Sequence, residues 1–203
     1  MNLNYTVLRL NDLLKTHDED TVKSILRTYD SPYNRDVDRF LKEKAIIFDR
    51  QGLSKTHLVF TSYRKEMVLV GYFALVNKNF VIKNGSTKIS KRQKQRIAKF
   101  AQYDRDTNQY VISAPLIGQL GKNYNYRNLI SGDILLEYAC NVVRDAQALL
   151  GGKLVYLECE DVPQLLDFYS NNGFFNFGKR YLEADEKDTL NGTYLIQMLK
   201  YLK

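Results

Sequence analysis

One order of segments narrows the folds open to this chain more than any other feature. Between Leu116 and Glu160 an apolar strand, a polar turn, a long helix and a second apolar strand follow each other, and a further helical run ends in Phe168-Tyr169-Ser170-Asn171-Asn172-Gly173-Phe174. A strand, a helix and a strand in that order read as a crossover between parallel strands, so a mixed α/β protein is expected. The turn is Arg127-Asn128-Leu129-Ile130-Ser131-Gly132, and Asp133 then opens an apolar-periodic run (Ile134, Leu135, Leu136, Tyr138, Ala139, Val142, Val143) that continues to about Leu150. A helix that begins straight after such a turn offers amides without intrahelical partners, and a partial positive charge, to a phosphate.

With 203 residues, 44% of them hydrophobic, the chain can bury one core of ordinary size, and a single domain over residues 1–203 is expected. No run approaches the roughly 20 apolar residues of a membrane span, and Met1-Asn2-Leu3-Asn4-Tyr5 lacks the basic-then-apolar layout of a signal peptide. The expectation is a cytoplasmic protein without a membrane partner. Cys140 and Cys159 show neither metal-ligand spacing nor a histidine partner in sequence, so both read as buried thiols. His17 and His57 alone give little material for a zinc site or a serine–histidine triad, and no metal is expected.

Before the crossover, periodicity predicts a short strand near Thr6 to Leu10 and then two helices, one with Val22, Ile25 and Leu26 on a face, the other with Val37, Phe40, Leu41 and Ala45. Pro32 separates them, and Asn34 or Asp36 caps the second. Strands at Thr56 to Thr61 and Met67 to Val76 form a hairpin around Ser62-Tyr63-Arg64-Lys65-Glu66. Phe174 to Tyr181 and Thr193 to Leu202 close the chain as two further strands.

Residues 83–108 are strongly basic, with Lys83, Lys88, Lys91, Arg92, Lys94, Arg96, Lys99 and Arg105 crowded together in a chain of formal net charge +7. Ser90 can cap a helix whose apolar residues are only Ile89, Ile97, Ala98 and Phe100, so most of that helix should face water. It is either a solvated face or a landing strip for the phosphates of tRNA or another nucleic acid. Tyr103, Tyr110, Tyr124 and Tyr126 lie near enough in sequence to stack on bases, although neighbours of that kind are expected in a chain with 15 tyrosines.

The strand at Leu116–Asn123, the turn Arg127–Gly132 and the later Phe168-Tyr169-x-x-x-Gly173-Phe174 together resemble the acetyl-CoA site of the GNAT (GCN5-related) N-acetyltransferases, over roughly residues 35 to 200. Two positions depart from the family pattern. Ile130 stands where the turn has its first glycine, and Val162 stands where many members carry an asparagine that holds the pantetheine arm. The resemblance implies the GNAT acyl-CoA N-acyltransferase fold, an α+β mixed sheet in which 83–108 is a basic helical insertion between the central hairpin and the cofactor-binding strand. It implies acetyl-CoA as co-substrate. Backbone amides around Leu120, Gly121 and Lys122 would bind pantetheine and steady an oxyanion. Pyrophosphate would sit against Asn128, Leu129, Ile130, Ser131, Gly132 and Asp133, with Arg127 adding a charge-assisted contact. Tyr169 would act as the general acid for the departing thiolate.

For a general base, alternation along the predicted strand puts Tyr156, Glu158 and Glu160 on one face and Val155, Leu157 and Cys159 on the other. Glu158 is the nominee; the alternative is an ion pair with lysine or arginine at a sheet end, expected more for Glu160. The activity implied is direct transfer of acetyl to a primary amine of an unidentified acceptor. A finer likeness, in Tyr29-Asp30-Ser31, Asp38-Arg39-Phe40-Leu41, Ala45 and Gly52-Leu53-Ser54-Lys55-Thr56-His57-Leu58-Val59, is to GNAT toxins that acetylate charged aminoacyl-tRNA. Outside the enzyme class stand a non-catalytic acyl-CoA binder and a nucleic-acid binding module. A homodimer paired through C-terminal strand edges is an expectation by analogy with the fold.

Overall fold

The computed structural model describes residues 4–184, 186–187, 190 and 192–202. The elements run β1 (Tyr5–Arg9), α1 (Leu10–Thr16), α2 (Glu19–Arg27), α3 (Arg35–Arg39), a π-helical stretch (Phe40–Lys44), α4 (Ala45–Gln51), β2 (Lys55–Tyr63) and β3 (Glu66–Lys83). Then come α5 (Lys91–Ala98), β4 (Ala101–Asp104), β5 (Gln109–Lys122), a 3-10 turn (Tyr124–Tyr126), α6 (Gly132–Leu150), β6 (Leu154–Cys159), α7 (Pro163–Asn171), β7 (Phe175–Tyr181) and β8 (Tyr194–Tyr201). These divide into two compact units, residues 4–76 with 117–139 and residues 77–116 with 140–202, so that β3, β5 and α6 each contribute to both.

In the first unit the strands lie in the order β1-β2-β3-β5, with β1–β2 and β2–β3 antiparallel. The hairpin between β2 and β3 is tighter than the sequence suggests. Only Arg64 and Lys65 lie between the paired Tyr63 and Glu66, and both have positive φ, the geometry that matches the twist of the two strands. Asn34 is the cap expected for the second helical region, its side chain accepting from Val37 N–H at 3.1 Å. Asp18 caps α2 in the same way through Thr21 N–H. The helix α1, absent from the sequence reading, follows β1 directly and buries Leu10 and Leu13. The core gathers Leu10, Val22, Leu26, Leu41, Leu58 and Tyr72, all fully or nearly fully buried.

In the second unit the order is β3-β5-β6-β8-β7, with β4 added to β5. β6–β8 and β8–β7 are antiparallel. β3 and β5 are both longer than expected. Residues 77–83 and 109–116 continue them, with Phe80, Ile82, Ile112 and Ala114 alternating into the interior and Asn77 Nδ2 bonded to Ser113 Oγ at 3.1 Å. The basic segment therefore holds one short helix and one strand. Ser90 caps α5 through a reciprocal box with Gln93. Buried Ile97 faces inward, Phe100 meets the Tyr201 ring edge-on at 6.0 Å, and the Arg96 guanidinium lies 3.9 Å from the centroid of that ring. Both cysteines are buried, Cys140 in α6 and Cys159 in β6. No helix among the described residues is long and apolar enough to cross a membrane.

Candidate functional site

The first unit carries the strand end and the turn. At Gly121 β5 passes so close to Tyr29 and Val37 that a Cβ there would collide with Tyr29 Oη and Val37 Cγ1. Leu120, Gly121 and Lys122 end the strand half-buried, and Gln119 reaches Asp36 Oδ2 at 2.7 Å. Asn123, the next residue, is fully buried and uses its whole amide. Its Oδ1 accepts from Asp30 N–H and Asn125 N–H, each at 3.1 Å, while Nδ2 donates to Thr28 O at 3.0 Å and Leu69 O at 2.8 Å. Its backbone N–H also donates to Val70 O at 2.8 Å. Only the bond from Asn125 N–H is local; the partners Leu69, Asp30 and Thr28 lie 54, 93 and 95 positions away, so the sequence does not mark Asn123 out as the residue that joins them.

Beyond Asn123 the chain makes a 3-10 turn, and Ser131 caps α6 by accepting Ile134 N–H on Oγ at 3.2 Å and Leu135 N–H on its carbonyl at 3.2 Å. The amides of Asn128, Ile130, Ser131 and Gly132 donate to no protein acceptor among the described residues. That of Leu129 is used, donating to Tyr126 O at 2.9 Å. Ile130, which stands where the turn it resembles has a glycine, is buried, so its side chain belongs to the interior and not to the exposed side of the turn. Asp133 occupies the first turn of α6. Arg127 is exposed, with its guanidinium 5.4 Å from the Tyr124 ring centroid, and Lys122 Nζ lies 3.4 Å from Arg127 O.

The second unit carries Tyr169 and Glu158. Tyr169 lies on the last turn of α7, which ends as its sequence implies: Asn172 N–H donates to Phe168 O, Phe174 N–H to Tyr169 O, and Gly173 takes φ +81°, a backbone that favours glycine. Phe168 and Phe174 contact the Tyr169 ring edge-on at 5.0 and 6.0 Å. Burial, and then the charge that Cys159 would carry, push the Tyr169 phenol well above its ordinary range, so it holds its proton at neutral pH. Burial likewise pushes the Cys159 thiol up to about 12, which leaves it un-ionised and a poor nucleophile. Val162 begins α7 without a side-chain cap, ahead of Pro163.

Glu158 is not a free carboxylate. Arg180 Nε donates to Oε2 at 2.7 Å, and Gln197 Nε2 donates to Oε1 at 2.9 Å. Arg180 also forks onto Glu186 with two bonds of 2.8 Å, and this contact first, then Glu158, raises the guanidinium further above its ordinary value. The ion pair expected more for Glu160 is thus present at Glu158. Register puts Leu154, Tyr156 and Glu158 opposite Tyr201, Leu199 and Gln197, so Glu158 shares a sheet face with the Tyr201 ring on which α5 rests. Cys159, the neighbour that influences the Tyr169 phenol, belongs to the other face.

On α5 and its flanks, Lys83, Lys88, Lys91, Arg92, Lys94, Arg96, Lys99 and Arg105 form no ion pair among the described residues. Two of them are engaged otherwise, Lys94 Nζ with Asn84 O at 2.9 Å and Arg96 with Tyr201.

No protein-family model matches the sequence, and no curated protein matches it. Solved structures do. The toxin AtaT complexed with acetyl-methionyl-tRNAfMet is 17% identical with a TM-score of 0.63, the match covering 95% of this chain and 94% of that one. A tyrosine-to-phenylalanine mutant of AtaT bound to acetyl-CoA and the C-terminus of the antitoxin AtaR is 15% identical at a TM-score of 0.61, over 99% of this chain and 94% of that one. A tyrosine-to-phenylalanine mutant of KacT is 16% identical, also at 0.61, over 95% and 93%. At such identity the likeness is one of fold, and the GNAT fold expected from the sequence is the one found.

Proposed function

We propose that the chain is a GNAT-type N-acetyltransferase that moves an acetyl group from acetyl-CoA to a primary amine by direct attack. The observation that carries this reading is the turn before α6, with four unpartnered amides following a strand in a fold whose solved examples include an acetyl-CoA complex. Pyrophosphate would take those amides, with Arg127 beside them, while backbone groups of Leu120, Gly121 and Lys122 would hold the pantetheine amides and steady the oxyanion. The amine nitrogen bonds to the acetyl carbon, the carbon–sulfur bond breaks, and Tyr169 gives its proton to the sulfur. The amine proton restores the phenol, directly or through water.

Both oxygens of Glu158 are already engaged by donors, so we assign Glu158 to holding Arg180 and let the amine enter neutral. Glu158 as base remains the competing assignment, and replacement by Gln separates them: a base would shift the acid limb of the kcat profile, whereas the ion-pair role would change stability and leave that limb in place. Tyr169→Phe tests the general acid. Turnover should fall about 100- to 10,000-fold with acetyl-CoA affinity nearly unchanged. Equal losses in both would reject the assignment.

The unpaired cations of α5 favour a polyanionic acceptor, in keeping with AtaT, which is complexed with acetyl-methionyl-tRNA. In this reading Lys91, Arg92 and Lys99, all exposed, meet phosphates, and Arg96 is a packing residue through its stack on Tyr201. The protein would then work as a toxin on aminoacyl-tRNA in the cytoplasm.

A further inference from the structure

Next to the turn that would bind phosphate stands a pair of tyrosines with no role in the core. Tyr33 is 82% exposed, far more than packing alone would leave an aromatic ring of this size. It meets Tyr124 edge-on, ring centroids 5.0 Å apart, and the Arg127 guanidinium lies over the Tyr124 ring, 5.4 Å from its centroid. The two rings come from different loops, yet those loops are mounted as one body. Tyr124 N–H donates to Asp30 O at 2.7 Å, Asn125 Nδ2 donates to Thr28 O at 3.2 Å, and buried Asn123 bonds to both Thr28 and Asp30. Pro32 fixes the backbone just before Tyr33. Hydrogen bonding to Tyr33 first, then to Arg127, lowers the Tyr124 phenol pKa, and the same Tyr33–Tyr124 contact raises that of Tyr33.

We infer that Tyr33, Tyr124 and Arg127 form a nucleobase platform, on which a purine ring stacks while its phosphates reach the free amides of Asn128, Ile130, Ser131 and Gly132. The geometry suits this ligand in three ways. An exposed aromatic face stacks on a base whatever its edge groups. Arg127 adds both a flat cation for the ring system and a positive charge for phosphate. The two loops that carry the rings are already tied together by hydrogen bonds, so little backbone entropy is lost on binding. A purine nucleotide can come from the nucleotide end of acetyl-CoA or from a nucleic-acid acceptor, and the inference rests on the proposed function for the first source only.

The test is titration of wild type, Tyr33→Ala and Tyr33→Trp with four probes: acetyl-CoA, S-acetylpantetheine, adenosine 3′,5′-bisphosphate and a short oligoadenylate. Since Tyr33 is exposed, Tyr33→Ala should melt where wild type does. Loss of one base stack predicts affinity about 5- to 100-fold weaker for Tyr33→Ala, with Tyr33→Trp restoring it. If acetyl-CoA and the bisphosphate weaken while S-acetylpantetheine does not, the base belongs to the co-substrate. If only oligoadenylate weakens, it belongs to the acceptor. Unchanged affinity of Tyr33→Ala for every probe that wild type binds overturns the platform. So does a wild type that binds neither the bisphosphate nor oligoadenylate. A wild type that binds oligoadenylate in a Tyr33-dependent way but not acetyl-CoA upholds the platform and refutes the acetyltransferase reading, so the two fail separately.

Discussion

Replacing Asn123 by Ala should be among the most damaging single substitutions in the first unit. The amide is fully buried and makes four hydrogen bonds. Removing it leaves Asp30 N–H, Asn125 N–H and Leu69 C=O without those bonds, whereas Thr28 C=O keeps Asn125 Nδ2. At about 1 kcal/mol net for each bond, with more for a buried group left unpaired, the loss is about 3–5 kcal/mol. For a chain of this length each kcal/mol lowers the melting midpoint by about 2–4 °C, so the variant should melt about 6–20 °C below wild type. Calorimetry and urea unfolding give the two numbers independently. Asn123→Asp keeps the acceptor oxygen but sets a carboxylate against two carbonyls, and should do no better than Ala. A fall under about 3 °C for Asn123→Ala would refute the claim that this amide joins β5 to the Thr28–Asp30 loop.

Three further outcomes follow from single observations. Gly121→Ala should cost about 1–3 kcal/mol and weaken acetyl-CoA binding, because the new methyl group overlaps Tyr29 and Val37; an unchanged urea midpoint would contradict it. His57 is buried against Phe73 at 4.9 Å with Nδ1 unpartnered, and burial lowers its pKa below 6.5. Its neutral form is thus favoured by folding, so its stability contribution is complete above pH 6.5 and is lost as pH falls through the lower folded value. Urea midpoints for His57→Phe should lose that part of the acid slope, and an identical slope would exclude His57 as its source. Neutralising Lys91, Arg92 and Lys99 together should lower the slope of log affinity for tRNA against log salt by roughly 2–3, with the melting midpoint unchanged; an unaltered slope would reject α5 as the contact.

What could be read from the sequence was whatever depends on neighbours along the chain. The caps at Asn34 and Ser90 are local hydrogen bonds, and the end of α7 follows from Gly173, so all three were legible. The continuation of β3 and β5 through Phe80, Ile82, Ile112 and Ala114 had its alternation in plain view. It was masked by the density of lysine and arginine between those strands, which drew residues 83–108 into a single helical reading. The short α1 has too few turns for periodicity to declare itself. Asn123 and the Tyr33–Tyr124 pair were out of reach for another reason, since both depend on contacts between loops some 90 positions apart. Glu158 shows the same limit: alternation placed it on its face, but only the fold brings Arg180 and Gln197 to its two oxygens.

The central claim is that the turn before α6 is a working acetyl-CoA site despite Ile130 in place of a glycine. Isothermal titration of the wild-type protein with acetyl-CoA tests it most directly. Saturable binding near one equivalent per chain, in the micromolar range, is the result predicted. No heat of binding at protein and ligand concentrations well above that range would contradict it, and would mean that the free amides of the turn do not hold the phosphates of acetyl-CoA.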